Sequence, residues 1–266
     1  MIKKLFNKIK RYNFARKLNY TKLKNLSSLG SNYGGWSFVD ENELYGTTII
    51  SAGLGEDASF DIEFLNKYNA KIIIVDPTRR AITHFKEILE NKGAKKTKEY
   101  SMHGKQEIQS YDLDKVNNEN FILIDKALYN QDDVELSFFA PLNKEHVSYS
   151  INNWQNNYRK DTESVKVNSI TIKKIINDFK IEQLNLIKMD IEGVATEVLE
   201  NMLDNNIFPK QICVEFDELY TMTDIVQKKF YHVHQKLIGK QYFLIKIKNN
   251  FPNMLYVHNS VIEKKD

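Results

Sequence analysis

Cysteine, proline and glycine are all scarce in this chain of 266 residues, and each shortage removes a class of protein. The single cysteine, Cys213, has no partner for an intrachain disulfide, which excludes a small stapled scaffold. Its place in an apolar run reads as a buried, inert thiol. Four prolines and ten glycines are too few for a collagenous or low-complexity chain, and 42% hydrophobic residues are enough to build a core. Long apolar runs are missing too: Lys71 to Val75 and Phe121 to Ile124 fall far short of the roughly 18 residues needed to cross a bilayer. The first residues carry lysines but no apolar stretch ahead of a small-residue cleavage site. A secretory signal is therefore not expected, and the expected location is the cytoplasm.

Acid is absent from the first part of the chain. Lys3, Lys4, Lys8, Lys10, Arg11, Arg16, Lys17, Lys22 and Lys24 precede Asp40, the first carboxylate. The chain has 38 basic and 35 acidic residues in all, so the remainder, beyond this arm, is mildly acidic. Within the arm Ile2, Leu5, Phe6, Ile9 and Tyr12 recur on one helical face with lysines on the others, which predicts a basic amphipathic helix. Such a helix either packs its apolar stripe on the rest of the protein or docks on an anionic membrane or a protein partner, at the inner face of a membrane for example. Nothing resembles a base-reading module, so no nucleic-acid partner is expected. The arm is taken as residues 1–28 and one catalytic-size domain as residues 29–266.

Beyond a Ser/Gly/Tyr-rich loop at Ser27–Trp36, strand and helix signals alternate. Strands are predicted at Thr47–Ala52, Lys71–Asp76, Phe121–Lys126, Leu184–Asp190, Gln211–Phe216 and Tyr242–Ile247. Helices are predicted at Asp57–Tyr68, Thr78–Lys92, Gln106–Asp112, Ile170–Phe179, Val194–Leu203 and Asp224–Lys240. This order implies a Rossmann-like α/β fold, a mostly parallel sheet covered on both faces. An insertion around residues 129–168 contains a further strand at Val134–Phe139 and a polar loop from Asn143 to Asp161. Near the end, Tyr242–Ile247 and Met254–Val257 are separated by too little chain for a helical crossover, so an antiparallel terminal strand is expected.

The strand Thr47–Ala52 runs into Gly53-Leu54-Gly55 and then into a helix, while the next strand ends in Asp76. Glycines let the backbone turn tightly against a ligand, the helix start offers unpaired amides, and a carboxylate at Asp76 can accept hydrogen bonds from ribose hydroxyls. That is a nucleotide-ribose site. Because Gly53, Gly55 and Ala58 also satisfy the dinucleotide pattern, these residues alone do not separate a methyl donor from a nicotinamide cofactor.

The segments Tyr33-Gly34-Gly35-Trp36, Ile50 to Asp61, Val75-Asp76-Pro77-Thr78 and Leu186 to Gly193 resemble the FkbM-type methyltransferases. Lys188-Met189-Asp190-Ile191-Glu192-Gly193 is the most specific of them, and the likeness extends over roughly residues 30–258, less well around Asn143–Asp161. The resemblance implies a class I fold, S-adenosylmethionine as cofactor, and O-methylation of a hydroxyl on a sugar or sugar-containing precursor. The antiparallel terminal strand favours this over an NAD-dependent oxidoreductase; a non-catalytic Rossmann-like binding protein is the other alternative.

On that reading Ala52, Gly53, Leu54, Gly55, Glu56 and Asp57 hold the methionine part, Asp76 and Pro77 the ribose, and Lys126 and Ala127 the adenine edge. Tyr33, Trp36, Tyr149, Trp154 and Tyr158 offer flat surfaces for the adenine or a sugar ring. Asp190 is the first candidate at the methyl-transfer centre, as base or as orienter of the donor's amino group. Glu192 either joins it or caps the next helix. Glu215, with Asp217, could complete a carboxylate cluster able to hold a divalent metal, which is left unassigned. His232 and His234, two apart on a helix, cannot form a ligand pair there, and His84 and His103 read as structural or surface residues. His146 is of interest because the insertion that carries it should overhang and select a small-molecule or glycan acceptor.

Overall fold

The computed structural model describes residues 2–140, 149–153, 162–248 and 251–262, with side chains from residue 9 onward. The chain opens with α1 (Ile2–Ala15), a hairpin of β1 (Leu26–Leu29) and β2 (Trp36–Val39), and β3 (Thr48–Ala52). Then come α2 (Ser59–Tyr68), β4 (Lys71–Val75), α3 (Arg79–Glu90) and β5 (Phe121–Ile124). The insertion supplies β6 (Ala127–Leu128), β7 (Glu135–Phe139) and β8 (Ser164–Ile170). The second half contributes α4 (Ile172–Asp178), β9 (Leu186–Met189), α5 (Ala195–Asp204), β10 (Gln211–Glu215), α6 (Asp224–Gly239), β11 (Tyr242–Ile245), β12 (Asn253–His258) and α7 (Asn259–Ile262).

The main sheet has the order β11-β12-β10-β9-β3-β4-β5. Strands β10, β9, β3, β4 and β5 are parallel, while β12 runs antiparallel to both β10 and β11. Reversal of the crossover direction between β3 and β9 opens a crevice at the carboxyl ends of those two strands, where ligands of open α/β sheets bind. Strand alternation divides the core in two: Ile50, Ala52, Ile73 and Val75 face α4, α5 and α6, whereas Ile49, Ile72 and Ile74 face α2 and α3. A sheet apolar on both faces needs a helical layer on each.

Helix starts follow their caps. Thr78, Thr171 and Thr223 accept hydrogen bonds from the amides of Ala81, Lys174 and Val226, fixing the first turns of α3, α4 and α6. Ile170, expected in a helix, therefore ends β8 instead. Two further expectations are corrected. The stretch Ser27–Trp36 is not all loop, since both its ends pair in the β1–β2 hairpin from Leu26↔Val39 to Leu29↔Trp36; serines mask the alternation there. Gln106–Asp112 forms only a short 3₁₀ turn at Ile108–Ser110, because Gln106 and Ser110 spend their side chains on hydrogen bonds to the preceding loop. β8, not among the expected strands, pairs with β6 and β7 to make a separate three-stranded sheet.

The arm is held by few residues. Phe14 and Leu18 are buried, and Phe14 packs its ring against Phe230, Tyr231 and Phe251. Thr21 then bridges to the edge strand β11, whose outer hydrogen-bonding groups at Leu244 and Lys246 it satisfies. Ile9 and Tyr12, expected on the packing stripe if the helix docked on the domain, point outward at 50% and 63% exposure; Ile2, Leu5 and Phe6 lie outside the described side chains. Among the described residues no helix is long and apolar enough to cross a membrane.

Candidate functional site

At the carboxyl ends of β3, β4, β9 and β10 lies a cavity of about 980 Å³, large enough for a cofactor and a small acceptor together. Its donor side is the turn after β3. Gly53 and Gly55 both have positive φ, +85° and +55°, and a Cβ built on Gly53 would overlap the Asp190 carbonyl. Only glycine lets the two loops close on each other here. The Asp190 amide in turn donates to the Ala52 carbonyl at 3.0 Å, so the turn and the end of β9 are fastened directly.

Asp76 fastens the turn from the other side. One carboxylate oxygen accepts from the amides of Leu54 and Gly55 at 2.9 and 3.0 Å, and the other from the Thr78 amide and hydroxyl at 2.9 and 2.7 Å. These four bonds fill the carboxylate's lone-pair directions. A ribose bound by Asp76 would have to exchange with one of these donors, so the geometry gives Asp76 a turn-building role that its position at a strand end does not reveal. Asp57 has a parallel one. It accepts from the Ser31 hydroxyl at 2.6 Å, Gln106 Nε2 at 3.0 Å and the Ser59 amide at 2.9 Å, and Ser31 Oγ accepts from the amides of Tyr33 and Gly34. This relay sets the loop that carries Tyr33, whose exposed ring lies close against Gly104 at the rim. Glu56 pairs with Arg80 and Lys105.

The cavity brings together most of the expected residues: Tyr33, Gly53, Leu54, Gly55, Glu56, Asp57, Asp76, Pro77 and Ala127 on one side, Asp190 and Glu215 on the other. Two stand apart. Ala52 is fully buried beneath the turn, and the Lys126 ammonium pairs with Asp133 at 2.6 Å rather than lining the cavity. Trp154, Tyr158 and His146 lie outside the described residues. Of the aromatic candidates, Trp36 and Tyr149 do line the cavity, joined by Leu128 of β6 and Phe138 of β7.

The acceptor side is a concentration of acid. Asp190, Glu215 and Asp217 each offer an oxygen within 4.8 Å of the others, and Glu192 lines the same wall. Burial first, and then the neighbouring charges of Asp190 and Glu192, push the Glu215 carboxyl up to about 8. Burial likewise raises Asp190, against the lowering influence of Lys188, and raises Asp217 well above the usual carboxylate range. The Tyr220 hydroxyl donates to Glu215 at 3.2 Å. Such a cluster either shares protons or holds a cation, and oxygen donors at this spacing suit a divalent metal. Glu192 sits in the left-handed region at φ +51°, a backbone strain found at functional turns, while the cap position of α5 is Val194 and the Thr196 amide and hydroxyl in its first turn donate to Glu218 at 3.5 and 3.2 Å.

Lys188 opens the most specific of the resembling segments, yet the sequence assigns it no role. Its buried ammonium donates to the Gly53 carbonyl and lies 5.9 Å from the Trp36 ring centre, and its charge offsets part of the burial that raises the carboxyl of Asp61. Its alternation on β9 points to a core position, and only a charge at a buried register position marks it out. Phe251 and Asn253, brought to the cavity by the terminal strand, have no local signal. Three of the described histidines have structural partners: His84 bonds Tyr111 at 2.8 Å, His234 bonds Tyr256 at 2.8 Å, and His232 meets Glu200 at 3.0 Å. Cys213 is buried and its thiol pushed up to about 12, as an inert thiol should be.

The model of the methyltransferase FkbM domain matches residues 39–244, most of the chain. No match is found among curated proteins or solved structures. The chain belongs to the FkbM methyltransferase family.

Proposed function

From that membership and the charge of the cavity we propose that the protein transfers the methyl group of S-adenosylmethionine to a hydroxyl of a sugar or sugar-containing precursor. The observation that carries the cofactor is electrostatic. Glu56, Asp57, Asp76, Asp190, Glu192, Glu215 and Asp217 line the cavity against Lys188 as the one basic residue among the described lining, so the wall stays acidic even with Glu56 paired to Arg80 and Lys105 and protons held in the Asp190, Glu215 and Asp217 cluster. A sulfonium cation is favoured in such a field, whereas the pyrophosphate of a dinucleotide is repelled. This supports a methyl donor over NAD.

When bound, S-adenosylmethionine supplies an electrophilic methyl group. The chain's own residues do the rest. The glycine turn, held by Asp76 and Asp190, brings the backbone of Gly53 to Gly55 to the cavity wall, with no side chain at Gly53 or Gly55 to keep a donor away. Tyr33 stands at the rim, and Trp36 lines the cavity from a buried position. Placing the acceptor oxygen in line with the methyl, at about 3 Å, supplies much of the acceleration, and the remaining requirement is removal of the hydroxyl proton. Glu215 and Asp190 are positioned to take it. Burial and then like charge let one carboxylate of the cluster hold a proton near neutral pH; Asp190, Glu215 and Asp217 would hold a divalent metal if one binds, and it would supply positive charge that favours their ionised, basic form. The aromatic and apolar wall of Phe138, Tyr149 and Leu128 suits the face of a sugar ring.

Incubation of the full chain with methyl-labelled donor and a panel of nucleotide-linked sugars tests the proposal. Label is expected in a sugar, and addition or chelation of magnesium reads the metal at the same time. Transfer to a protein or amine acceptor alone would contradict the sugar-hydroxyl assignment.

A further inference from the structure

Helix α1 presents two different faces. Phe14 is its anchor, buried among Phe230, Tyr231 and Phe251, and Arg11 lies with its guanidinium 4.9 Å from the ring centre of Tyr220. Ile9 and Tyr12, about one turn apart, face away from that anchor, since they lie five and two residues before Phe14, about 140° and 160° from it round an α-helix. They are half-exposed or more, 50% and 63%. An exposed apolar pair on an anchored helix is costly unless something covers it.

The charge around this pair says what covers it. No carboxylate precedes Asp40, while basic residues occur throughout the arm. Arg16, next to the pair, holds its guanidinium 5.6 Å from the Tyr12 ring centre. Apolar side chains flanked by cations, on an arm that itself carries no carboxylate, fit an interface of hydrocarbon and negative headgroups, where a helix lies in the plane of the membrane. The anchor makes the geometry useful: Tyr220 and Phe251, on which α1 rests, both line the catalytic cavity. A surface touching α1 is then separated from the cavity wall by about one helix diameter, roughly 10 Å.

We infer that the outward face of α1, centred on Ile9 and Tyr12, docks the protein on an anionic lipid bilayer beside the acceptor side of the cavity. Docking is independent of methyl transfer. The test is cosedimentation of the full chain with vesicles of phosphatidylcholine containing about a third phosphatidylglycerol, against vesicles of phosphatidylcholine alone. Binding to the anionic vesicles is expected, weakening as salt rises. The Ile9→Asp/Tyr12→Asp variant should bind those vesicles roughly tenfold more weakly or worse. Arg16→Gln/Lys17→Gln, which leaves the apolar pair intact, should lose affinity and much of the salt dependence. Both pairs are solvent-exposed, so melting temperature and calorimetric binding of S-adenosylmethionine should stay as in the parent chain; loss of donor binding in the parent would count against the proposed function and not against docking. No cosedimentation, equal binding to neutral vesicles, unchanged binding by the aspartate variant, or binding to heparin without binding to vesicles would each overturn the inference.

Discussion

The two sides of the cavity use the same residue types for opposite ends. On the donor side, Asp57 and Asp76 are saturated with hydrogen bonds from backbone amides, hydroxyls and Gln106, and their charge is spent on holding turns. On the acceptor side, Asp190, Glu215 and Asp217 are buried against one another and all three are raised, with Glu215 at about 8. A carboxylate stabilised by several donors is a structural staple. One destabilised by burial and like charge is ready to accept a proton or a cation. An acidic residue at the end of a strand is thus not evidence of a ligand contact until its hydrogen-bond partners are known.

The contrast between the two sides breaks most severely at the turn itself. Gly53→Ala should abolish donor binding and lower stability by about 2 kcal/mol or more, because it combines positive φ with a clash at the Asp190 backbone; urea unfolding and calorimetry read the two effects. Next comes the acceptor side: Glu215→Gln should cut turnover by roughly 10²- to 10⁴-fold while leaving donor affinity near that of the parent chain. Equal loss of both would merge the two sides.

A smaller effect separates them by pH. Glu215 is raised from 4.5 to about 8, so the folded protein keeps its proton over a range where the unfolded chain has lost it. The stability this group contributes is complete below about 4.5 and declines as pH rises through about 8. Melting temperature should therefore fall across that window, and the fall should be shallower in Glu215→Gln. Smallest of all is Lys126→Ala, expected to leave donor affinity within about twofold, since the side chain pairs with Asp133 in an exposed ion pair; a large loss would return Lys126 to the adenine edge.

What could be read in the sequence was what the local backbone demands. Gly53 and Gly55 had to be glycine at a strand-to-helix turn, Asp76 ended a strand, and the Lys188–Gly193 block lay at the end of another, so the position of the site was legible. The mostly parallel sheet came from strand-helix alternation, and the antiparallel terminal strand from the short connection before it. The relay from Gln106 and Ser31 through Asp57 was not legible, because it joins side chains far apart in the chain, and it is the reason a helix expected at Gln106–Asp112 shrinks to one turn. Strand β8 was missed because its first residues are mostly exposed and only Val165 and Val167 alternate with polar neighbours, too short a pattern to stand out beside the polar insertion. The arm had a legible period but not a legible direction: the same apolar spacing fits a stripe facing the core or facing outward, and Phe14, off that stripe, decides it.

An acidic cavity built on the Gly53 turn should select a sulfonium cofactor over a dinucleotide. Titration calorimetry of the full chain with S-adenosylmethionine, S-adenosylhomocysteine and NAD tests this most directly. Binding of S-adenosylmethionine, with weaker binding of the uncharged S-adenosylhomocysteine and none of NAD, is the predicted result. Binding of NAD with neither sulfur compound would contradict it.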